Sequence, residues 1–349
     1  MKALFLGIFS MLSITVHAQA LGEFKPKDVS YGLGRLKKHD NKRIYISGFD
    51  VNFQVYNEKS KYKQGGYQLG GGMKGDAQTE VSVGLEGLDE KTVQEITDKL
   101  YADYLQKLRD KGITVITADE AGKTEKYAGY QKVQGGNIST AEIPGVMTST
   151  PTNFEYFIKG LDKNGKAKKA GFLGNEAASY PGLSRDLGDA IIGNVDITVL
   201  FVQNQDAFQG NGAKIKVKTN LRLVASDMIE MTSDAKFKMK GQNTFTYASS
   251  NISFYHGKMG AGSTTSYVGS LGKDLAITNV VDETKVTGYA SGGISQGTST
   301  MYGTYFSPRN GSSSNSKIVT VDPQKYSTGV YAAAKKFLDH HMDEFLKSI

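Results

Sequence analysis

Seven basic side chains fall on alternate positions of two short apolar runs. In AKIKVKTNLRLV, Lys214, Lys216, Lys218 and Arg222 alternate with Ile215, Val217, Leu221 and Leu223. In AKFKMK, Lys236, Lys238 and Lys240 alternate with Ala235, Phe237 and Met239. Period-two alternation marks a strand with one packed face and one wet face. If the two runs pair, their cations share one surface, and the chemistry of that surface is recognition of an anion. Lipid phosphates, acidic glycans and an acidic protein subunit all fit. The same comb also serves as a plain solvated face, or as lysine protection of a sheet edge against stray pairing. Nucleic acid is not expected, because no set of stacking aromatics is interleaved with the lysines.

Three shorter motifs are weaker. AGKT at 121–124 resembles the end of a phosphate-binding loop, but the glycine needed five residues before Gly122 is Thr117. Without it the loop lacks the turn that lays backbone N–H groups on phosphate. GISQG at 293–297 fits the nucleophile-elbow pattern. That elbow works between a buried strand and a helix, whereas the flanks here are polar and rich in glycine and serine. HHMDE at 340–344 puts His340 and Glu344 one helical turn apart, a two-ligand arrangement with no third ligand indicated. The sequence therefore assigns no catalytic, metal-binding or cofactor-binding residue.

The elements that would carry these residues can be read along the chain. Residues 1–20, MKALFLGIFSMLSITVHAQA, have the layout of a secretory signal: Lys2, an apolar run, then Ala18-Gln19-Ala20 as a cleavage site. Export is expected, to the periplasm or outer membrane of a bacterial envelope or beyond it. The chain of 349 residues has no cysteine, so it must rely on its core rather than on disulfides. Its 42 basic and 35 acidic residues give a formal charge of +7. No later stretch reaches the length and apolarity of a transmembrane helix.

After an extension at 21–40, RIYISGFDVNFQVY at 43–56 reads as a strand whose alternation slips. Ile44 and Ile46 share one parity; Phe49, Val51, Phe53 and Val55 share the other. A bulge at Gly48 would restore one apolar face. Asp89 caps a helix with Val93, Ile96, Leu100, Tyr104 and Leu108 on one stripe, and Gly112 ends it. TEVSVGLEG before this helix reads as a short strand with Val81, Val83 and Leu85 on one side, and ITVIT at 113–117 after it as a short buried strand that the long connection allows to lie parallel to it. LSRDLGDAIIGN reads as a short helix capped by Ser184 and stopped by Gly193, and VDITVLFV at 195–202 as a central strand. A second strong helix starts at Asp322 and Pro323, with Tyr326, Val330, Ala333, Phe337, His341 and Phe345 on its apolar face. The stretches 57–78 and 287–317 are rich in glycine and serine and read as loops, the second as long loops or a mobile hairpin.

RIYISGF, the helix KTVQEITDKLYADYLQKLRDKG and the strand ITVI together resemble the opening unit of the curli-secretion-channel superfamily of bacterial envelope proteins. GNVDITVLFVQ followed by KVKTNLRLV resembles its paired central strands, and DPQKYSTGVYAAAKKFLDHHMDEFL its terminal helix. The resemblance covers about half the chain beyond the signal and implies an α+β domain of envelope-assembly type. Those channel proteins are lipoproteins with membrane-spanning hairpins. This chain has no cysteine to bear a lipid, and its candidate hairpins, 244–254 and 287–306, are polar.

The expected architecture is one α+β domain over 41–349. It has a mixed, mostly antiparallel sheet, an N-terminal βαβ-like unit and a C-terminal helix on one face. Both strong helices are expected to lie on the bent first strand and on 113–116 and 195–202. The expected function is that of a non-catalytic exported envelope protein, periplasmic or outer-membrane-associated. It would bind a protein or an anionic envelope component, in envelope assembly or secretion. A subunit of a homo-oligomeric outer-membrane pore is the alternative, and an enzyme with an unrecognised site the third reading.

Overall fold

The structure, a computed structural model, describes residues 20–29, 41–68, 72–163, 179–205, 212–232, 243–257, 265–294, 298–305 and 307–349. The expected signal lies outside these residues except for Ala20. The chain is α+β. Strand β1 is Arg43–Gln54, β2 Tyr56–Lys63 and β3 Ala77–Glu86; helix α1 is Glu90–Asp110. Then come β4 (Val146–Ser149), β5 (Ile191–Asn204), β6 (Ala213–Leu223), β7 (Asp227–Thr232), β8 (Asn243–Ala248), β9 (Lys285–Ala290) and β10 (Gly311–Thr320), and the chain closes with α2, Pro323–Leu346.

Among the described residues the largest sheet has eleven strands and is mixed. β5 runs through its middle, parallel to β1 and antiparallel to β6 and to Asn251–His256. Thr114–Ile116 lies parallel to β1 and not to β3, the strand directly before α1, which belongs to a second sheet. The extension contributes Pro26–Asp28, which pairs with Thr265–Leu271 at the sheet's edge.

The slip in the first strand is a bulge. Ile46 pairs with Gly193 and Gly48 with Asn194, so Ser47 is the extra residue. A Cβ at position 48 would sit 2.4 Å from Asn194 Oδ1, so any larger residue there would have to displace that side chain. The bulge keeps Ile44, Ile46, Phe49, Val51 and Phe53 in one core with Val93, Leu100, Val330 and Phe337 of the two helices.

Helix α1 starts where Asp89 accepts from the Thr92 N–H and ends before Gly112, whose φ of 70° suits a residue without Cβ. It lies over β1, with Tyr101 and Tyr104 edge-on to Phe49 at 5.1 and 5.6 Å. Helix α2 packs beside α1 but over a different part of the sheet than expected. Phe345 stacks on Phe254 at 3.7 Å, and His341 bonds Tyr267, both in the strands beyond β5. The stripes thus divide the sheet between them rather than sharing the first strand. Lys107 of α1 joins them through Asp339 and Asp343 of α2, at 3.3 and 2.9 Å.

Three sequence expectations are revised. The stretch 57–78 is not a loop. It holds β2, the short pair Gly66–Gln68 and Gly72–Lys74, and the start of β3, together one long hairpin. Of the two expectations for 287–317, long loops or a hairpin, the structure shows the hairpin, built of strands. It runs through β9 and the pairs Gly293–Ile294 with Pro308–Arg309 and Thr298–Thr300 with Gly303–Tyr305 into β10. β10 pairs in parallel with β3, making a second sheet of order β10-β3-β2. Glycine suits these strands because their backbones nearly touch: a Cβ on Gly292 would lie 1.8 Å from Gly75 O, and one on Gly75 2.3 Å from Arg309 O. The helix expected around Ser184 is also shifted. It spans Tyr180–Asp186, Ser184 lies inside it and donates to Ala190 O, and Gly193 belongs to β5. The chain turns instead at Gly188 and Asp189, with φ of 71° and 60°.

The pairing of β5 with β6 has a bulge of its own, Asn220 and Leu221 of β6 standing opposite the single residue Phe201 of β5. The buried Gln54 carboxamide closes it, its Oε1 accepting from the Phe201 and Val202 N–H groups at 3.1 Å each. Gln54→Leu would leave both buried N–H groups without an acceptor. We expect a loss of about 2 kcal/mol in a urea melt, within the cost of stranding buried donors.

Candidate functional site

The lysine comb is only partly assembled. β6 pairs with β9, placing Lys214 opposite Tyr289, Lys216 opposite Thr287 and Lys218 opposite Lys285. These six residues share the solvent-facing side; Ile215, Val217 and Val286 lie beneath, against β3. Lys218 pairs with Glu283 at 2.7 Å. Lys236, Lys238 and Lys240 lie outside the described residues. Sequence reasoning missed Lys285, because most of its strand, from residue 287 on, lies in a stretch read as loops or a hairpin tip.

Arg222 does not belong to that face. Its side chain is 1% exposed, and its charge is spent internally. It donates to Asp274, Asn220, Val202 O and Asp227 at 2.9, 2.9, 3.1 and 2.5 Å. Parity along β6 points it with the lysines, but β7 and the turn at Asp274 fold over this end of the strand and cover it.

From the comb, β9 leads outward to the ends of the two long hairpins. The Gly75 N–H donates to Gly293 O at 3.2 Å, joining one hairpin to the other. Met73, Ile294, Met301 and Tyr302 are exposed there, the last two by 88% and 81%. Lys63, Lys74 and Arg309 belong to the same paired segments.

The face of the large sheet turned away from α1 and α2 bears a cleft of about 480 Å³. Its floor is the outward row of the two central parallel strands: Asp50 and Asn52 of β1, Asn194 and Asp196 of β5. Asp50 and Asp196 are register partners. Asn52 donates to Asp196 Oδ1 at 2.8 Å and accepts from Thr148 of β4 at 2.8 Å, which orients the row. Glu142 lines the cleft from the chain before β4, and Phe154, Tyr156 and Phe157 form an aromatic wall. That wall is braced. Phe154 and Tyr156 stack at 5.8 Å, Phe157 stacks on Tyr127 at 4.2 Å, and Asp98 of α1 accepts from Thr152 N–H and Oγ1 at 2.7 and 2.8 Å. Sequence reasoning missed this site. The signal was present as DVNFQ and NVDIT, two polar rows at period two on strands that sit in the middle of a sheet, where both faces are normally covered.

The minor motifs do not assemble. Thr117 caps the short helix Ala118–Ala121, so AGKT is a helix end and not a phosphate loop. Ser295 lies outside the described residues, and Gly293–Ile294 before it pairs within a hairpin. His341 is buried with both ring nitrogens occupied, His340 stands edge-on to Phe24, and Glu344 bonds Lys347.

No family model, no curated protein and no solved structure matches the chain.

Proposed function

We propose that the protein is a non-catalytic exported envelope protein, periplasmic or outer-membrane-associated, whose partner is an anionic envelope component. One observation carries the reading. The cationic face of β6 and β9, with Lys214, Lys216, Lys218 and Lys285 outward, continues into hairpin ends that expose Met73, Ile294, Met301 and Tyr302. Cations beside projecting apolar side chains are what an anionic lipid surface attracts: the charges steer and hold, and the apolar tips enter the interface. The signal-like residues 1–20 support export, and the resemblance to envelope-assembly proteins supports the compartment.

Residues 21–349 should co-sediment with vesicles containing phosphatidylglycerol, not with phosphatidylcholine alone, and salt should reverse the binding. A lysine near an anionic surface contributes about 1 kcal/mol. Lys218 contributes less because Glu283 already holds it. The triple substitution of Lys214, Lys216 and Lys218 to serine should therefore weaken binding by roughly thirtyfold. Salt-sensitive binding left unchanged by the triple variant would sink the reading.

The two hairpins lying side by side favour a second reading, a subunit of an oligomeric pore. Detergent-dependent, heat-resistant rings would support it over a surface-bound protein.

A further inference from the structure

We infer that the cleft above β1 and β5 binds an uncharged oligosaccharide of two or three sugar rings. Its amides, its hydroxyls and its apolar side select this chemistry. Asn194 lines the cleft next to its register partner Gly48, where the floor carries no side chain. The Asn194 carboxamide makes no hydrogen bond among the described residues. Thr150, 7% exposed, lines the cleft with an Oγ1 that likewise has no hydrogen-bond partner. Asn52 supplies a second carboxamide, whose Oδ1 accepts from Thr148 at 2.8 Å and keeps a lone pair. Asn52 lies four residues along β1 from Gly48, about 13 Å at the usual rise of a strand. That span exceeds one sugar ring and suits a short chain of them.

An unsatisfied carboxamide offers a donor and an acceptor side by side, and a threonine hydroxyl offers both at one atom. The ligand group that answers either role is another hydroxyl. A peptide backbone or a nucleobase instead presents its donors and acceptors in a fixed pattern. The remaining side of the cleft is apolar, with Ile143, Phe154, Phe157 and Ile158. The Phe157 ring is held there by its stack on Tyr127 at 4.2 Å. A sugar ring matches both sides at once, since it carries C–H groups on its faces and hydroxyls around its rim. The volume of about 480 Å³ falls in the range of small-molecule sites. Asp50, Asp196 and Glu142 also line the cleft, but each has interactions of its own within the protein, and the inference gives their charge no role. The cleft shares no residue with the lysine face, so the inference stands independently of the anionic-partner reading.

The test is calorimetric titration of residues 21–349 with maltotriose, cellotriose, tri-N-acetylchitotriose and, as a neutral peptide, trialanine. Saturable binding of at least one trisaccharide is expected, with none of the tripeptide. Asn194→Ala should weaken that trisaccharide by about tenfold, the loss of a group that reads hydroxyls. Thr150→Val should weaken it by about threefold and leave the melting temperature at the parent's value, because the hydroxyl it removes has no partner in the protein. If Asn194→Ala does not melt like the parent, Thr150→Val carries the readout alone. No saturable trisaccharide binding overturns the inference. So does trisaccharide binding that the folded variants leave unchanged, and so does tripeptide binding as tight as the trisaccharide's.

Discussion

Replacing Arg222 by alanine should cost about 3–5 kcal/mol of folding stability, the range found when one member of a buried ion network is removed. The guanidinium ties together four pieces of chain: β5 through Val202 O, its own strand through Asn220, the start of β7 through Asp227 and the turn before Leu275 through Asp274. Asp274 in turn accepts from the Ala225 N–H at 2.8 Å, so the turn is held at both carboxylate oxygens. Removal leaves two carboxylates facing a void at 23% and 28% exposure, each short of the water that would replace the lost donors. Arg222→Lys should recover less than half of the loss, because a point charge cannot reach four acceptors set around a planar fork. Urea denaturation of the three proteins measures both numbers. A loss below about 1 kcal/mol for Arg222→Ala would show that the network is solvated and the arginine incidental.

Acid should weaken the fold through His341. Burial is the main reason its pKa is lowered from 6.5 to about 4, with the Ser270 carbonyl, Asp28 and Glu344 opposing and His340 adding to the effect. The neutral ring is a defined tautomer: Nε2–H donates to Ser270 O at 2.9 Å, and Nδ1 accepts from Tyr267 OH at 2.7 Å. Protonating Nδ1 would turn that acceptor into a donor against a phenol locked in the core. The sign follows. Above pH 6.5 both folded and unfolded states carry a neutral ring and the full contribution is present. As pH falls from 6.5 to about 4 the unfolded chain takes up a proton that the folded chain refuses, and stability drops by roughly 3 kcal/mol in total. His341→Gln keeps an acceptor and a donor but cannot titrate. Its stability should therefore fall less steeply over that interval than the parent's. Parallel slopes for the two proteins would remove His341 from the acid response.

Much of the frame was legible because it is local. Period and caps located α1 and α2 to within a residue or two, and the parity change at Gly48 announced a bulge whose partner lies in β5. What escaped was non-local. Glycine and serine in 57–78 and 287–317 have low strand propensity. They became strands through pairing between distant segments, β10 with β3, and through backbone contact that side chains would prevent. Arg222 was misread for a related reason: alternation tells which side of a strand a residue takes, not what later folds over that side. The cleft was hidden in the opposite way. Asp50, Asn52, Asn194 and Asp196 alternate with the apolar residues of β1 and β5, so the polar row is a pattern of its own beside the apolar one.

The parallel union of Ala77–Glu86 with Gly311–Thr320 sets an order of events. A polypeptide delivered amino-terminus first exposes the open flank of β3 until residues 311–320 emerge, and α2 follows directly behind them. The same late segment thus seals an adhesive border and completes the hydrophobic interior. Cleavage or premature termination before residue 311 would leave both undone, so a shortened product should clump rather than persist as a smaller working protein.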